Sequence, residues 1–389
     1  KKEQSCKKQR KQAAGGRQRT GVLLWRAPLL LAAAALFSAA ALGGCQKTAG
    51  QAEQPAPAAE SKIAGGDPAA ESTLDEQAAE ASREAAEQES REAAEELARQ
   101  QELYEYVSGP DIGVTQPYLD GASLTLVGSA DGGQNLSCLL QTEDGAVIVV
   151  DGGREADAGH LTQLIQERGG KVDVWLLTHP HNDHVGALTE ILNEDPVPVE
   201  IGKIYYHFLD REVYEQGENQ GRMADYDNLM AAFEKIDAEK LCTPLYPGQQ
   251  IETAGARITV LNEPFSCEAS TFNNSSVGYR IEMGGKRILF LGDMGYEAGD
   301  NLLAVCSAEE LKADVVQMSH HGQAGVSREV YEVIAPEVCL WPTPQWLWDN
   351  ELDGVPAAGP YATLEVRAWM KDLGVKQNLT IRNGDETLR

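Results

Sequence analysis

Four apolar, β-branched runs in this chain each stop on residues suited to hold a metal or move a proton. They are "AVIVVDGG" ending at Asp151, "VDVWLLTH" running into "PHNDH" (His179, His181, Asp183, His184), "KRILFLGDM" ending at Asp293, and "ADVVQMSHH" ending at His320 and His321. Runs of this length and composition, closed by polar residues or glycine, predict buried strands. Between them, "DAGHLTQLIQERGG" (Asp157–Gly170) and "VGALTEILNE" (Val185–Glu194) carry helical periodicity with a glycine or proline stop. "SREVYEVIAPEVCLWP" (Ser327–Pro342) predicts a helix followed by a strand. Mixed elements of this kind form a layered α/β domain, here spanning 106–389, and ligand sites in such domains gather where strand ends open into loops.

Histidine is scarce in this sequence, yet five of its seven histidines stand at two of those strand ends. In His179-x-His181 the two imidazoles of an extended segment point the same way, so both can serve one ion. Asp183 and His184 follow around a tight turn and can serve a second ion a few ångströms away. Asp293 is the carboxylate placed to bridge the two, and either His320 or His321 closes the second site. His160 lies on a predicted helix and reads as an ordinary surface residue.

The motif "THPHNDH" resembles the signature of the metallo-β-lactamase superfamily, and the likeness extends from "VVDGG" through "LGD" to "HHG". That resemblance implies a four-layer αββα sandwich with one or two metals at its edge, Zn²⁺ by preference with Mn²⁺ as a substitute. It implies that His179 and His181 bind the first metal, that Asp183, His184 and one of His320 and His321 bind the second, and that Asp293 bridges. Asp151 would sit behind the ligands and orient their loop. "NNSSVGYRI" (Asn273–Ile281), "ILFLGDM" and "VVQMSHHGQAGVS" are similar to the stand-alone relatives of the hydrolase domain of the competence protein ComEC. Other superfamily members supply a further histidine where "NNSS" stands here, so Asn274 or Ser276 is expected to touch metal or substrate. His207, far earlier in the chain, is read as pocket wall or surface. Gln323 takes a place where relatives often carry serine.

The chain carries a formal net charge of −27 over 389 residues. Lys1–Gly44 holds an excess of roughly +8, leaving the remainder near −35, a surface that repels long polyanions. No stable nucleic-acid partner is therefore expected. "APLLLAAAALFSAAAL" (Ala27–Leu42) follows a basic stretch and precedes "LGGC". At sixteen residues it is shorter than the roughly 20 a spanning helix needs, and it has the layout of a signal peptide. With Cys45 after small residues it resembles a bacterial lipoprotein signal (1–45), implying lipidation at Cys45 and a membrane-anchored, extracytoplasmic protein. Residues 46–105, rich in Ala and Glu with the near-copies "ASREAAEQ" and "ESREAAEE", predict a solvated, partly helical linker. No pair of the seven cysteines has metal-finger spacing.

Together these features predict a metal-dependent hydrolase in which a metal-bound hydroxide attacks a phosphodiester or phosphate ester, with Asp183, His184 and Asn274 at the reacting centre. The substrate classes in view are nucleic acid and cell-wall esters. The alternatives are a hydrolase of carbonyl esters, thioesters or lactams, and a tethered binding lipoprotein with an inactive hydrolase fold. The segment 211–237 is expected to form a helical cap over the pocket. Trp346 and Trp348 in "LWPTPQWLWDN" are expected in core packing and a rigid loop rather than in a cation-binding wall.

Overall fold

The structure, a computed structural model, describes residues 68–217 and 220–389. The expected signal, Cys45 and the first part of the linker lie outside the described residues. Among the described residues no helix is long and apolar enough to cross a membrane. The linker continues as one helix, α1 (Pro68–Val107). Its last turns touch the domain, through Gln101 to the Pro356 carbonyl and Tyr106 to Asp372.

Two seven-stranded sheets make up the domain. The first runs, in spatial order, β14 (Glu386–Leu388), β1 (Ser123–Leu126), β2 (Ser137–Gln141), β3 (Val147–Asp151), β4 (Lys171–Leu176), β5 (Glu200–Tyr205) and β6 (Leu241–Cys242). The second runs β13 (Gln377–Thr380), β12 (Val338–Trp341), β11 (Val315–Gln317), β10 (Lys286–Phe290), β9 (Tyr279–Met283), β8 (Ala256–Val260) and β7 (Gln250–Thr253). From β3 to β6 and from β10 to β13 the pairing is parallel, and elsewhere it is antiparallel.

Strand alternation explains the layering. One set of side chains (Leu140, Ile148, Val150, Val174 and Leu176 from the first sheet; Ile258, Ile281, Ile288, Phe290 and Leu340 from the second) packs between the sheets. The other set faces helices. Leu139, Val147, Val149 and Trp175 meet Leu161 and Ile165 of α2 (Ala158–Gln166) and Leu188 and Ile191 of α3 (Asn182–Asn193). Leu289, Val316, Cys339 and Trp341 meet residues of α6 (Tyr296–Val305), α7 (Arg328–Ile334) and α8 (Thr363–Asp372). Strands apolar on both faces can only lie inside such a sandwich, and each fully buried Leu, Ile or Phe contributes about 1.5–3 kcal/mol. This is the αββα arrangement expected from the resemblance.

The segment 211–237 differs from a simple cap. It forms α4 (Arg211–Gln216) and α5 (Met223–Phe233), and Leu229, Ala232 and Phe233 of α5 belong to the outer helical layer beside α3. Its remainder reaches the strand ends: Tyr214 packs on Phe272 at 4.3 Å, and Asp225 accepts from the backbone N–H of Asn182 at 3.2 Å. The cysteines of the described residues, Cys138, Cys242, Cys267, Cys306 and Cys339, are unbridged.

Candidate metal centre

Parallel pairing places β3 beside β4 and β10 beside β11, so the four punctuated strand ends open at one edge of the sandwich. Two bonds tie the sheets together there: Tyr279 Oη donates to the Leu177 carbonyl at 2.7 Å, and the Val277 N–H to that of Thr178 at 2.9 Å. Six side chains then converge in two groups, His179, His181 and Asp293, and Asp183, His184 and His321. Asp293 joins them. Its Oδ2 lies 3.3 Å from His184 Nε2, 3.3 Å from His321 Nε2 and 3.8 Å from His179 Nε2.

Hydrogen bonds behind the cluster fix which nitrogen each imidazole presents. His184 Nδ1 meets Asp151 Oδ2 at 2.8 Å, which leaves Nε2 as the free lone pair. His321 Nδ1 meets the Pro342 carbonyl at 3.0 Å, with the same result. His179 Nδ1 lies 3.2 Å from Thr178 Oγ1, whose hydroxyl donates to Asp151 Oδ2 at 2.7 Å. Asp151 also accepts the Thr178 N–H at 2.7 Å, so one fully buried carboxylate orients two imidazoles. The backbone at Asp151 is left-handed, φ 56°, which turns the carboxylate toward the β4 end. Thr178 was not singled out in the sequence, although a hydroxyl directly before the first histidine was there to be read.

The donors fit a cation. His184 Nε2, His321 Nε2 and Asp293 Oδ1 are buried without a hydrogen-bond partner, and such atoms are costly unless something else satisfies them. His179 Nε2 and His181 Nδ1 approach to 3.0 Å, as two nitrogens aimed at one point would. Protonation follows the same geometry. Burial, reinforced by the His184 charge, holds His179 well below the usual histidine range, and burial holds His181 down to about 4. Burial opposes the charging of His184 and His321 too, but Asp293 with Asp151 raises His184 well above that range, and Asp293 with Asp183 raises His321 to about 9. Burial works against ionisation of Asp293 as well, yet the charges of His184 and His321 keep its carboxyl well below the carboxylate range. Without a metal, protons on His184 and His321 balance the two central carboxylates.

The structure distinguishes His320 from His321. His320 Nε2 is taken by Asn273 Nδ2 at 3.2 Å and its Nδ1 faces the Ala324 carbonyl at 3.3 Å, so it offers no free lone pair. Replacing His321 by Ala should therefore remove the second metal, whereas His320→Ala should leave the metal content of the chain unchanged; elemental analysis of both variants checks this.

Asn274 stands apart from the cluster. Its Oδ1 accepts from the N–H groups of Gly295 and Ala298 at the start of α6, and its Nδ2 donates to the Ala269 carbonyl, Cys267 Sγ and Glu297. Its amide is thus spent on structure, which corrects the expectation that it sits among the reacting groups. The neighbouring Asn273 instead faces His320 and keeps its Oδ1 buried without a partner. Ser276 Oγ accepts from the Asp293 N–H at 3.0 Å and so holds Asp293 from behind. Gln317, a buried amide in an apolar strand, bonds Leu291 N, the Gly292 carbonyl and the Met318 carbonyl, clamping the Asp293 loop to the His321 loop. His207 belongs to neither group, and His160 pairs with Asp385 at 2.9 Å. Trp348 is buried against Trp341 in the core, and Trp346 Nε1 donates to the Gly132 carbonyl at 3.3 Å.

Residues 130–336 match the metallo-beta-lactamase superfamily. Among solved structures, the chain is similar to the metallo-beta-lactamase fold protein YhfI from Bacillus subtilis, with 16% identity and a TM-score of 0.43 over 69% of this chain and 99% of that one. It is also similar to CmlA, a diiron beta-hydroxylase from Streptomyces venezuelae (14% identity, TM-score 0.43, 69% of this chain and 54% of that one). A diphosphatase from the PhnP family gives 13% identity and a TM-score of 0.38 over 68% of this chain and 96% of that one.

Proposed function

Because the chain belongs to the metallo-β-lactamase superfamily, we propose that it is a metal-dependent hydrolase of a phosphodiester or other phosphate ester. The observation that carries this reading is Asp293 Oδ2 standing between two ligand groups, beside the buried and unpartnered Nε2 atoms of His184 and His321. His179, His181 and Asp293 would hold one divalent cation and Asp183, His184, His321 and Asp293 a second, with zinc the favoured ion and manganese a substitute. Such ions, when bound, acidify water and polarise the ester oxygen.

The protein's own groups do the rest. Asp183, whose side chain is 20% exposed, is the member of the cluster that solvent reaches most. Burial disfavours its charge, but His321, whose Nε2 lies 3.1 Å from its Oδ2, and the His184 charge hold its carboxyl below the usual range, so it orients an attacking water by accepting a hydrogen bond rather than by taking the proton. Asp151 and Thr178 keep His184 and His179 in the tautomers that present Nε2. Phe272, stacked on His181 at 5.1 Å, and the buried Tyr214 behind it exclude water from one side of the cluster.

The ComEC-like motifs favour phosphodiesters over lactams. The signal-like segment ending at Cys45 favours a lipid-anchored enzyme on the extracytoplasmic face of a bacterial membrane, and the acidic surface favours a small or wall-borne ester over long nucleic acid. The test is turnover by the zinc- or manganese-loaded chain on bis-p-nitrophenyl phosphate, single-stranded DNA, a phosphorylcholine ester, a thioester and a β-lactam. Phosphodiester turnover abolished by chelator and restored by metal is expected. Turnover of the lactam or thioester alone would replace the proposed substrate class, and metal binding with no turnover of any of them would favour a tethered binding protein.

Protonation gives a second check on the same centre. Imidazole binds a metal only when neutral, and His184 and His321 are protonated at pH 7 in the metal-free chain. Metal binding at pH 7 should therefore release protons, His321 should cease to contribute as pH rises through about 9, and affinity should weaken as pH falls. Calorimetric titration of zinc in buffers of different ionisation enthalpy counts these protons. Binding without proton release at pH 7 would show that the raised histidines are not ligands.

A further inference from the structure

A second cavity, of about 710 Å³, lies behind the His321 loop between the end of α1, the following strap 108–112, and α8. None of the six clustered His and Asp residues lines it. Its floor is Trp348, 8% exposed, whose ring carries two guanidinium groups: Arg367 at 3.9 Å and Arg382 at 4.5 Å from the ring centre. Lys371 forms part of the same wall.

These cations form no close ion pair. Arg367 is 6% exposed and spends its guanidinium on the carbonyls of Trp348 (2.9 Å) and Val107 (3.0 Å). Arg382 Nε donates to Thr380 Oγ1 at 3.2 Å, and Lys371 Nζ to the Tyr106 carbonyl. Among the described residues none of the three makes an ion pair, whereas Arg154, Arg211, Arg257, Arg287 and Arg328 each have a carboxylate partner. The lining also holds two carboxylates, Asp111, which accepts from Asn378, and Asp349, which accepts from Gln345; both face Arg367 only from beyond ion-pair distance, so cations outnumber anions in the lining. Holding a guanidinium in the interior without an ion-pair partner is costly. Burial, with the nearby Arg382 charge, pulls Arg367 down to about 10 even though the more distant Asp349 and Asp111 act the other way. In a chain this acidic, an unpaired cationic cluster around a cavity is what an anionic ligand would require.

We propose that this cavity is a binding site for a small phosphate monoester, with Arg382 and Lys371 meeting the phosphate at the partly open side and Arg367 beneath it. Arginine forks suit the oxygens of a phosphate group, and the volume is that of an ordinary small-molecule site. The site does not depend on what the metal centre catalyses. The two are neighbours, though: Trp341 lines the cavity and is also the ring against which Gly322 of the His321 loop packs.

The experiment is calorimetric titration of the full chain with phenyl phosphate and with inorganic phosphate. It uses the His181→Ala background to disable the metal centre, compared with wild type. Phenyl phosphate should bind His181→Ala and wild type alike, and at least about tenfold more weakly when Arg382→Gln or Lys371→Gln is added. Both added changes replace side chains that are not fully buried, and circular dichroism confirms the fold. Inorganic phosphate binding as tightly as phenyl phosphate, with the same loss in both variants, would support the site and name free phosphate as its ligand. No binding at millimolar concentration, binding indifferent to both substitutions, or binding lost in His181→Ala would each overturn the proposal.

Discussion

Asp293→Ala should remove the carboxylate that stands between the two ligand groups and with it turnover, by more than the roughly 100-fold that removing a residue behind the ligands costs. The expectation follows from position. Asp293 Oδ2 is within 3.3 Å of His184 and His321 and 3.8 Å of His179, so one carboxylate oxygen reaches both ligand groups. Its removal also takes away the charge that raises His184 and His321, leaving buried imidazoles with less reason to stay protonated. The variant should fold, because its backbone N–H is held by Ser276 and the neighbouring loop by Gln317, neither of which uses the carboxylate. Elemental analysis and phosphodiester turnover on the same preparation, with circular dichroism as the fold control, decide it. A chain that keeps two ions and full turnover would remove Asp293 from the centre.

The sequence exposed most of this arrangement because its signals are local. His179, His181, Asp183 and His184 sit within one strand end and one helix start, and the ends at Asp151, Asp293 and His321 follow apolar runs that only a buried strand explains. What stayed hidden depends on contacts between distant segments. The choice of His321 over His320 rests on Asn273 and Pro342, forty-seven and twenty-one residues away. Asn274 looked chemical beside its neighbours, and only the packing of α6 shows that its amide serves the backbone. Strands such as β2 and β5 escaped notice because Ser137–Gln141 and Glu200–Tyr205 lack a long apolar run, and pairing with already formed neighbours decides their state. The segment 211–237 has helical character whether it caps a pocket or joins a layer, and it is Leu229, Ala232 and Phe233 docking on α3 that settles where α5 lies.

Gly322→Ala should unfold the edge that carries His321. Three successive residues there, His320, His321 and Gly322, have φ of 51°, 55° and 76°, so the loop already holds two non-glycine residues in the left-handed region. A third would add about 1–2 kcal/mol. The added methyl would also lie 2.4 Å from the ring of Trp341, which is fully buried and cannot move aside, and overpacking of this kind costs about 1–3 kcal/mol. Urea denaturation should therefore show a loss of roughly 2–5 kcal/mol, with metal content falling as His321 leaves its place. Gly354→Ala separates the two causes. Its φ is 80°, but nothing lies within 4 Å of the new methyl, so it should lose only the strain contribution and keep its metal. If both variants lose the same stability, the contact between Gly322 and Trp341 does not hold the loop. If Gly322→Ala alone loses its metal, the ring that supports the loop from behind is as necessary to the centre as the hydrogen bond that fixes His321 from the side.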